Sequence, residues 1–300
     1  MSFKETTGVP AYSVDGLRFS YGHPGAGRSV NGWVLDGLTF EVRPGEILGV
    51  LGPNGSGKSS LLKILAKVLR PQEGLVTLFG DDLAGMPQHD VARAVALVPQ
   101  ESQIAFPFSI TEMVLMGRFP HHRRNVGLSG LGWEGPEDIR VAEAAMRETD
   151  VLHLAHRSIT DVSGGERQRA VIARALTQEP KVLLLDEPTA FLDLHHQLDI
   201  CSILRRLNEE RGLTVVLVSH DLNLASQYCD RLLLLDRGRT VRLGPPEEVM
   251  TPEVLEEIYR CRVLVDRHPQ SGLPRVTLPG RKLTASRQPS AVGPEIKADS

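Results

Sequence analysis

The segment Gly52-Pro53-Asn54-Gly55-Ser56-Gly57-Lys58-Ser59 constrains this chain more than any other stretch. Glycines, a lysine and a hydroxyl residue stand there at the spacing of a phosphate-binding loop. The apolar run before it, 47–51, reads as a buried strand, and 61–69 after it has helical periodicity. Strand, glycine-rich turn and helix together aim successive backbone N–H groups at an anion. Gly52, Gly55 and Gly57 permit the close approach of backbone to phosphate. Lys58 is placed to bring positive charge to β- and γ-phosphates, and Ser59 to ligate Mg²⁺. Asn54, Ser56 and Ser60 belong to the same expected phosphate-binding set. The pattern implies a nucleoside triphosphate.

Three hundred residues with 41% hydrophobic content suffice for one large domain or two small ones. A net charge of −3 argues against a generic nucleic-acid binder, and 5% aromatic residues against stacking platforms for single strands. Cys201, Cys229 and Cys261 show neither metal nor redox spacing and read as buried reduced thiols. No apolar run reaches bilayer length and no signal-peptide pattern opens the chain. The expected location is the cytoplasm, with any membrane served from its surface.

Residues 12–21 read as a strand, 38–42 as its antiparallel neighbour and 22–32 as the loop between them. A further strand is expected at 75–79, and the apolar run 95–98 stops at Pro99. From 100 to 157 strand signals fade; 110–116 and 138–149 look helical, and 118–135 looks like loop. Apolar strands return at 182–185, 214–218 and 232–235, which indicates a parallel sheet covered on both faces. The expected fold is α/β: a P-loop core of largely parallel sheet, an antiparallel N-terminal β subdomain and a helical insertion. One domain is expected over 10–265 with its helical subdomain at 101–178. A C-terminal hairpin extension follows at 266–281, turning around 269–272, and then a disordered tail at 282–300.

Asp186-Glu187 sits at the C-terminal end of a buried strand, where open α/β sheets bind ligands. Asp186 is placed to hold Mg²⁺, and Glu187 to act as general base on the attacking water. The strand 214–218 ends in Ser219-His220-Asp221 and is expected beside the carboxylate strand, so His220 faces the γ-phosphate. Gln100 follows its own strand, where its amide bridges metal and water. Ser163-Gly164-Gly165-Glu166 opens a strong helical run, with Ser163 as N-cap and bare amides behind it. One chain cannot easily bring that second anion site to the same phosphates, so it suits a nucleotide held by another subunit.

In this order, the P-loop, Gln100, Ser163-Gly164-Gly165, Asp186-Glu187, Leu192-Asp193 and His220 resemble the ATPase subunits of ABC transporters over residues 12–250. The resemblance implies ATP with Mg²⁺ and makes Gln100 the Q-loop residue and metal contact. It makes Ser163 to Gln168 the signature motif, Asp193 the D-loop acid and His220 the switch histidine. Tyr21 resembles the aromatic residue that stacks on adenine. The signature reads Val162-Ser163-Gly164-Gly165-Glu166 in place of the usual Leu-Ser-Gly-Gly-Gln, with the serine and glycines kept.

Phe106-Pro107-Phe108-Ser109-Ile110-Thr111-Glu112, Leu194-His195-His196-Gln197 and His220-Asp221-Leu222-Asn223 resemble the importers of iron chelates, haem and cobalamin. That branch implies an ATPase homodimer beneath a permease dimer, on the cytoplasmic face of the inner membrane, fed by a periplasmic binding protein. Ferric siderophore is the expected cargo, with haem or cobalamin as alternatives, and a soluble non-transport ABC ATPase as the remaining rival. Residues 100–124 are expected to dock on the permease. The pairs His121-His122 and His195-His196 are not read as iron ligands, because adjacent helical histidines are expected to point apart and no carboxylate cluster accompanies them.

Overall fold

A computed structural model describes residues 8–22, 32–100, 106–122 and 135–280. The expectations for the 22–32 loop, the 118–135 loop and the tail beyond 281 fall wholly or largely outside these residues.

Two antiparallel strands come first, β1 (Tyr12–Phe19) and β2 (Leu35–Val42). Their apolar side chains alternate with polar ones, so one face packs inward. β3 (Ile47–Leu51) is buried at every position and leads through the P-loop into α1 (Lys58–Leu65). β4 (Glu73–Leu78) and the two-residue β5 (Asp81–Asp82) then complete a four-stranded antiparallel sheet in the order β2-β1-β4-β5. α2 (Gln88–Ala94) runs directly into β6 (Val95–Val98).

The helical insertion follows. α3 (Ile110–Leu115) starts at a capping box, in which Ser109 accepts from Glu112 N–H and Glu112 accepts from Ser109 N–H. α4 (Pro136–Glu148) carries its proline in the first turn, where no N–H is needed. α5 (Gly164–Leu176) packs against both. Between α3 and α4, where loop was expected, residues Met116–His121 form a 3₁₀ turn. The cause is Arg118, which is buried: its Nε donates to Asp138 at 2.8 Å and its Nη1 to Thr177 O at 2.8 Å and Glu179 at 2.7 Å.

β7 (Val182–Asp186), α6 (Leu194–Arg211), β8 (Thr214–Val218), α7 (Leu222–Tyr228), β9 (Arg231–Asp236) and β10 (Arg239–Gly244) finish the main sheet. Its order is β10-β9-β3-β8-β7-β6, all parallel except the edge strand β10. β3, β7 and β8 are entirely buried, which is why they read as continuous apolar runs. β10 was not anticipated, because its Arg-Thr-Val-Arg sequence is that of a half-solvated edge. Two apolar clusters lie on opposite faces of this sheet, one shared with the helical insertion and one with the antiparallel sheet.

Short helices α8 (Pro246–Val249) and α9 (Pro252–Tyr259) precede a hairpin of β11 (Leu264–Arg267) and β12 (Pro274–Thr277). The hairpin is tied to α7: Asn223 Nδ2 donates to Val276 O at 3.1 Å, Val276 N–H returns to Asn223 Oδ1 at 2.8 Å, and Ser226 Oγ donates to Pro274 O at 2.7 Å. Among the described residues no helix is long and apolar enough to cross a membrane.

Candidate functional site

The P-loop turns between β3 and α1 through conformations that a side chain would forbid. Gly52 has φ 145°, and a Cβ there would lie 2.1 Å from Leu235 O. Gly57 caps α1 at φ 101°, with Leu35 Cδ2 2.4 Å from the same imagined atom. The helix therefore begins at Lys58, three residues before the apolar periodicity announces it, and ends at Leu65. Lys58 Nζ donates back to Gly52 O at 2.8 Å and Pro53 O at 3.0 Å. Burial pushes the Lys58 ammonium down, against the opposite pull of Glu187 and Asp186.

Three neighbouring strands deliver the remaining groups to the same edge. Ser59 Oγ donates to Asp186 Oδ1 at 3.1 Å. Burial pushes the Asp186 carboxyl up, the Ser59 hydrogen bond opposes this, and the Glu187 charge adds to the rise. Glu187 follows directly on β7, is buried, and holds a left-handed φ of 52° while its N–H donates to Val218 O at 3.1 Å. Such a backbone persists only where surrounding structure enforces it, and it aims the carboxylate across the end of the sheet. Gln100 Nε2 donates to Glu187 Oε2 at 2.6 Å, and His220 Nε2 meets Glu187 Oε1. His220 is fixed from both sides: Ser219 N–H donates to Val50 O at 3.3 Å, and Asp221 caps α7 by accepting from the N–H groups of Asn223 and Leu224.

These groups line a cavity of about 880 Å³ that also takes in Tyr21, Asn54, Gly55, Ser60 and Phe191. The Tyr21 hydroxyl lies 3.0 Å from Ser60 Oγ, and its ring stands edge-on to Phe19 at 4.8 Å. Ser56 Oγ is buried without a hydrogen-bond partner, an orphan at the base of the loop. Gly52, Ser56 and Asp186 support the lining from behind. Sequence reasoning passed over Phe191, which is 94% exposed at φ 62°. Its signal was the Ala190-Phe191 pair before Leu192-Asp193, where an exposed aromatic is out of place in a polar turn.

Ser163, Gly164, Gly165, Glu166 and Asp193 do not line this cavity. Ser163 caps α5 in a capping box, with its N–H donating to Glu166 Oε2 at 2.7 Å and its Oγ accepting from Glu166 N–H at 3.3 Å. That backbone contact holds the Glu166 carboxyl below its ordinary range. Asp193 caps α6 by accepting from His196 N–H at 3.0 Å, which lowers its carboxyl likewise. Gly165 packs against the His196 ring so closely that a Cβ would lie 2.3 Å from Cγ. The capping turn of α6 and the start of α5 are thus in direct contact.

The expectation that the adjacent histidines point apart, with no carboxylate beside them, does not hold for His195 and His196: their ring centroids are 5.4 Å apart and both face Asp199.

The donor set suits a phosphate chain with a hard cation. Ser59 and Asp186 offer adjacent oxygens, and Asp186 is a desolvated carboxylate that a cation would relieve. Fold and site together define an α/β P-loop nucleotide-binding protein. The family model described as ABC transporter matches residues 35–190, and the chain belongs to that family. It is 46% identical over 251 residues to a hemin import ATP-binding protein of Gloeobacter violaceus, covering 81% of this chain and 88% of that one. It is 39% identical over 248 residues to the ferric enterobactin transport ATP-binding protein of Escherichia coli, covering 83% and 89%. Among solved structures, an inward-facing transporter of the metal-chelate ABC type superposes with a TM-score of 0.75 at 30% identity, covering 89% of this chain and 97% of that one.

Proposed function

We propose that this chain is the ATP-binding and ATP-hydrolysing subunit of an importer for a metal chelate, working as a head-to-tail homodimer on a membrane permease. One observation carries the reading: Lys58, Ser59, Gln100, Glu187 and His220 converge on one cavity, while Ser163 and Gly165 lie outside it. In the homodimer each ATP is held by Lys58 and Ser59 of one subunit and by Ser163 and Gly165 of the other. Tyr21 stacks on the adenine, and Asp193 braces the opposite subunit. Ser59 and Asp186, with Gln100, would hold Mg²⁺, which would neutralise charge developing on the phosphates.

Glu187 takes the proton of the attacking water as its oxygen bonds to the γ-phosphorus and the bond to the ADP oxygen breaks. His220 donates a hydrogen bond to the γ-phosphate. Both Glu187 oxygens are engaged by Gln100 and His220, so the base is oriented before water arrives. Residues 100–124 are proposed to dock on the permease on the cytoplasmic side. A binding protein outside the membrane supplies the cargo.

For the cargo, 46% identity to a haemin import protein against 39% to a ferric enterobactin protein makes haem the first candidate to test and ferric siderophore the second. The experiment is uptake of labelled haem, ferric siderophore and cobalamin by cells carrying this chain or its Glu187→Gln form. Loss of one uptake in the variant names the cargo. Unchanged uptake of all three would overturn the importer assignment.

A further inference from the structure

The first turn of α6 carries a cluster that nucleotide hydrolysis does not use. His195 Nε2 lies 3.5 Å from Asp199 Oδ2, and His196 Nδ1 lies 3.9 Å from the same oxygen. One ligand atom from each of the three residues falls within 4.8 Å of the other two. His196 Nδ1 is buried and has no hydrogen-bond partner, although its own backbone N–H is satisfied by Asp193.

We propose that His195, His196 and Asp199 form a binding site for a transition-metal dication of the Zn²⁺ class. Zinc bonds to imidazole nitrogen and carboxylate oxygen are about 2.0–2.2 Å, which places ligands about 3.4 Å apart in a tetrahedron. Both histidine-to-carboxylate distances are close to that spacing. His195 is 79% exposed, so its ring can swing to close the remaining gap, while His196 is held by packing on Gly165. Two imidazoles and one carboxylate favour zinc and later transition metals over Mg²⁺ or Ca²⁺. Arg169 Nη1 reaches the same Asp199 oxygen at 3.4 Å. It fixes the carboxylate, while its charge on that same oxygen keeps the affinity modest. The fourth position faces solvent beside exposed His195. A bound ion would lock the first turn of α6, next to Asp193, with His196 still packed on Gly165.

The test is calorimetric titration of the full chain, free of any histidine tag, with Zn²⁺ in excess Mg²⁺ so that the hard-oxygen sites are occupied. One ion per chain is expected. Loss of an outer-shell partner alone costs about 10–100-fold in metal affinity, so His195→Ala and Asp199→Asn should each weaken binding at least about tenfold. His122→Ala, beside Asp138 at 3.8 Å, should leave the affinity unchanged. His195 is exposed and its replacement leaves the fold intact. Zn²⁺ binding to His195→Ala as tight as to the unaltered chain, or no binding to the latter, would overturn the site.

Discussion

Gln100 Nε2 and Glu187 Oε2 are 2.6 Å apart, which joins the last described residue before the helical insertion to the carboxylate at the end of β7. Eighty-seven residues separate them in the chain. Any displacement of Gln100 is therefore felt directly at the proposed base. This is a physical route for reciprocal coupling between nucleotide state and whatever binds the insertion.

The base assignment predicts that Glu187→Gln binds ATP normally, accumulates as closed dimer and hydrolyses at least about 10²-fold more slowly. Single-turnover hydrolysis beside size-exclusion chromatography in ATP measures both. Near-normal turnover removes Glu187 from the role.

Gly165 and His196 predict a suppressor pair. Gly165→Ala drives a methyl into the His196 ring and should cost about 1–3 kcal/mol, as overpacking does. His196→Ala in the same chain should recover much of the loss, with a coupling of about 0.5–3 kcal/mol in urea unfolding. Strict additivity would show that the contact carries no strain.

Arg118 is buried with Asp138 on one side and Thr177 and Glu179 on the other. Burial acts to raise the Asp138 carboxyl, but hydrogen bonds from Arg118 and Gly135 N–H outweigh it and hold it below the ordinary range. A lowered folded pKa contributes stability above the unfolded value, and that stability is lost as pH falls through the folded one. Asp138→Asn should therefore lose about 2–3 kcal/mol at neutral pH, less than a fully buried pair broken outright, because Glu179 remains. Its melting temperature should also fall less than the parent's on acidification below the carboxylate range. Parallel acid profiles would contradict this.

Tyr259 reaches the P-loop from α9. Burial pushes its phenol up to about 12, and the hydrogen bond from Gly52 N–H works against that rise. Tyr259→Phe should weaken ATP binding, measured by thermal melts with and without nucleotide. An unchanged nucleotide-induced shift would detach α9 from the site.

Phe106 and Phe119 are 67% and 57% exposed on the helical insertion, whereas Met116 is half-buried and Arg118 is buried. Phe106→Glu with Phe119→Glu should abolish uptake and leave ATPase activity of the isolated subunit within about twofold, since exposed substitutions rarely disturb a fold. Intact uptake would place the permease contact elsewhere.

How much of this was legible depended on whether the cause was local. Ile47–Leu51, Val182–Asp186 and Thr214–Val218 announce themselves because strands buried on both faces admit only apolar side chains. The P-loop spacing marks the phosphate site for the same reason: the backbone path itself demands glycine at 52 and 57. What stayed hidden rests on contacts distant in sequence. Arg118 looks like a solvent-facing loop residue until Thr177 and Glu179 are brought to it. The left-handed backbone of Glu187 is enforced by β8 and leaves no mark on its own segment. His195 and Asp199 stood four apart in plain view, a spacing that places both on one helix face, and only the adjacency of the two histidines distracted from it.

The position of β3 between β8 and β9 governs how the protein can be made. The P-loop strand is synthesised early, but both of its sheet partners lie beyond residue 213. A growing chain emerging from the ribosome therefore carries β3 with both edges bare until more than two-thirds of its length is out. ATP cannot rescue this nascent stage, because the P-loop hangs on β3, which has neither of its sheet neighbours before Thr214. Premature termination between α1 and β8 should yield an aggregation-prone fragment rather than a weakened nucleotide binder.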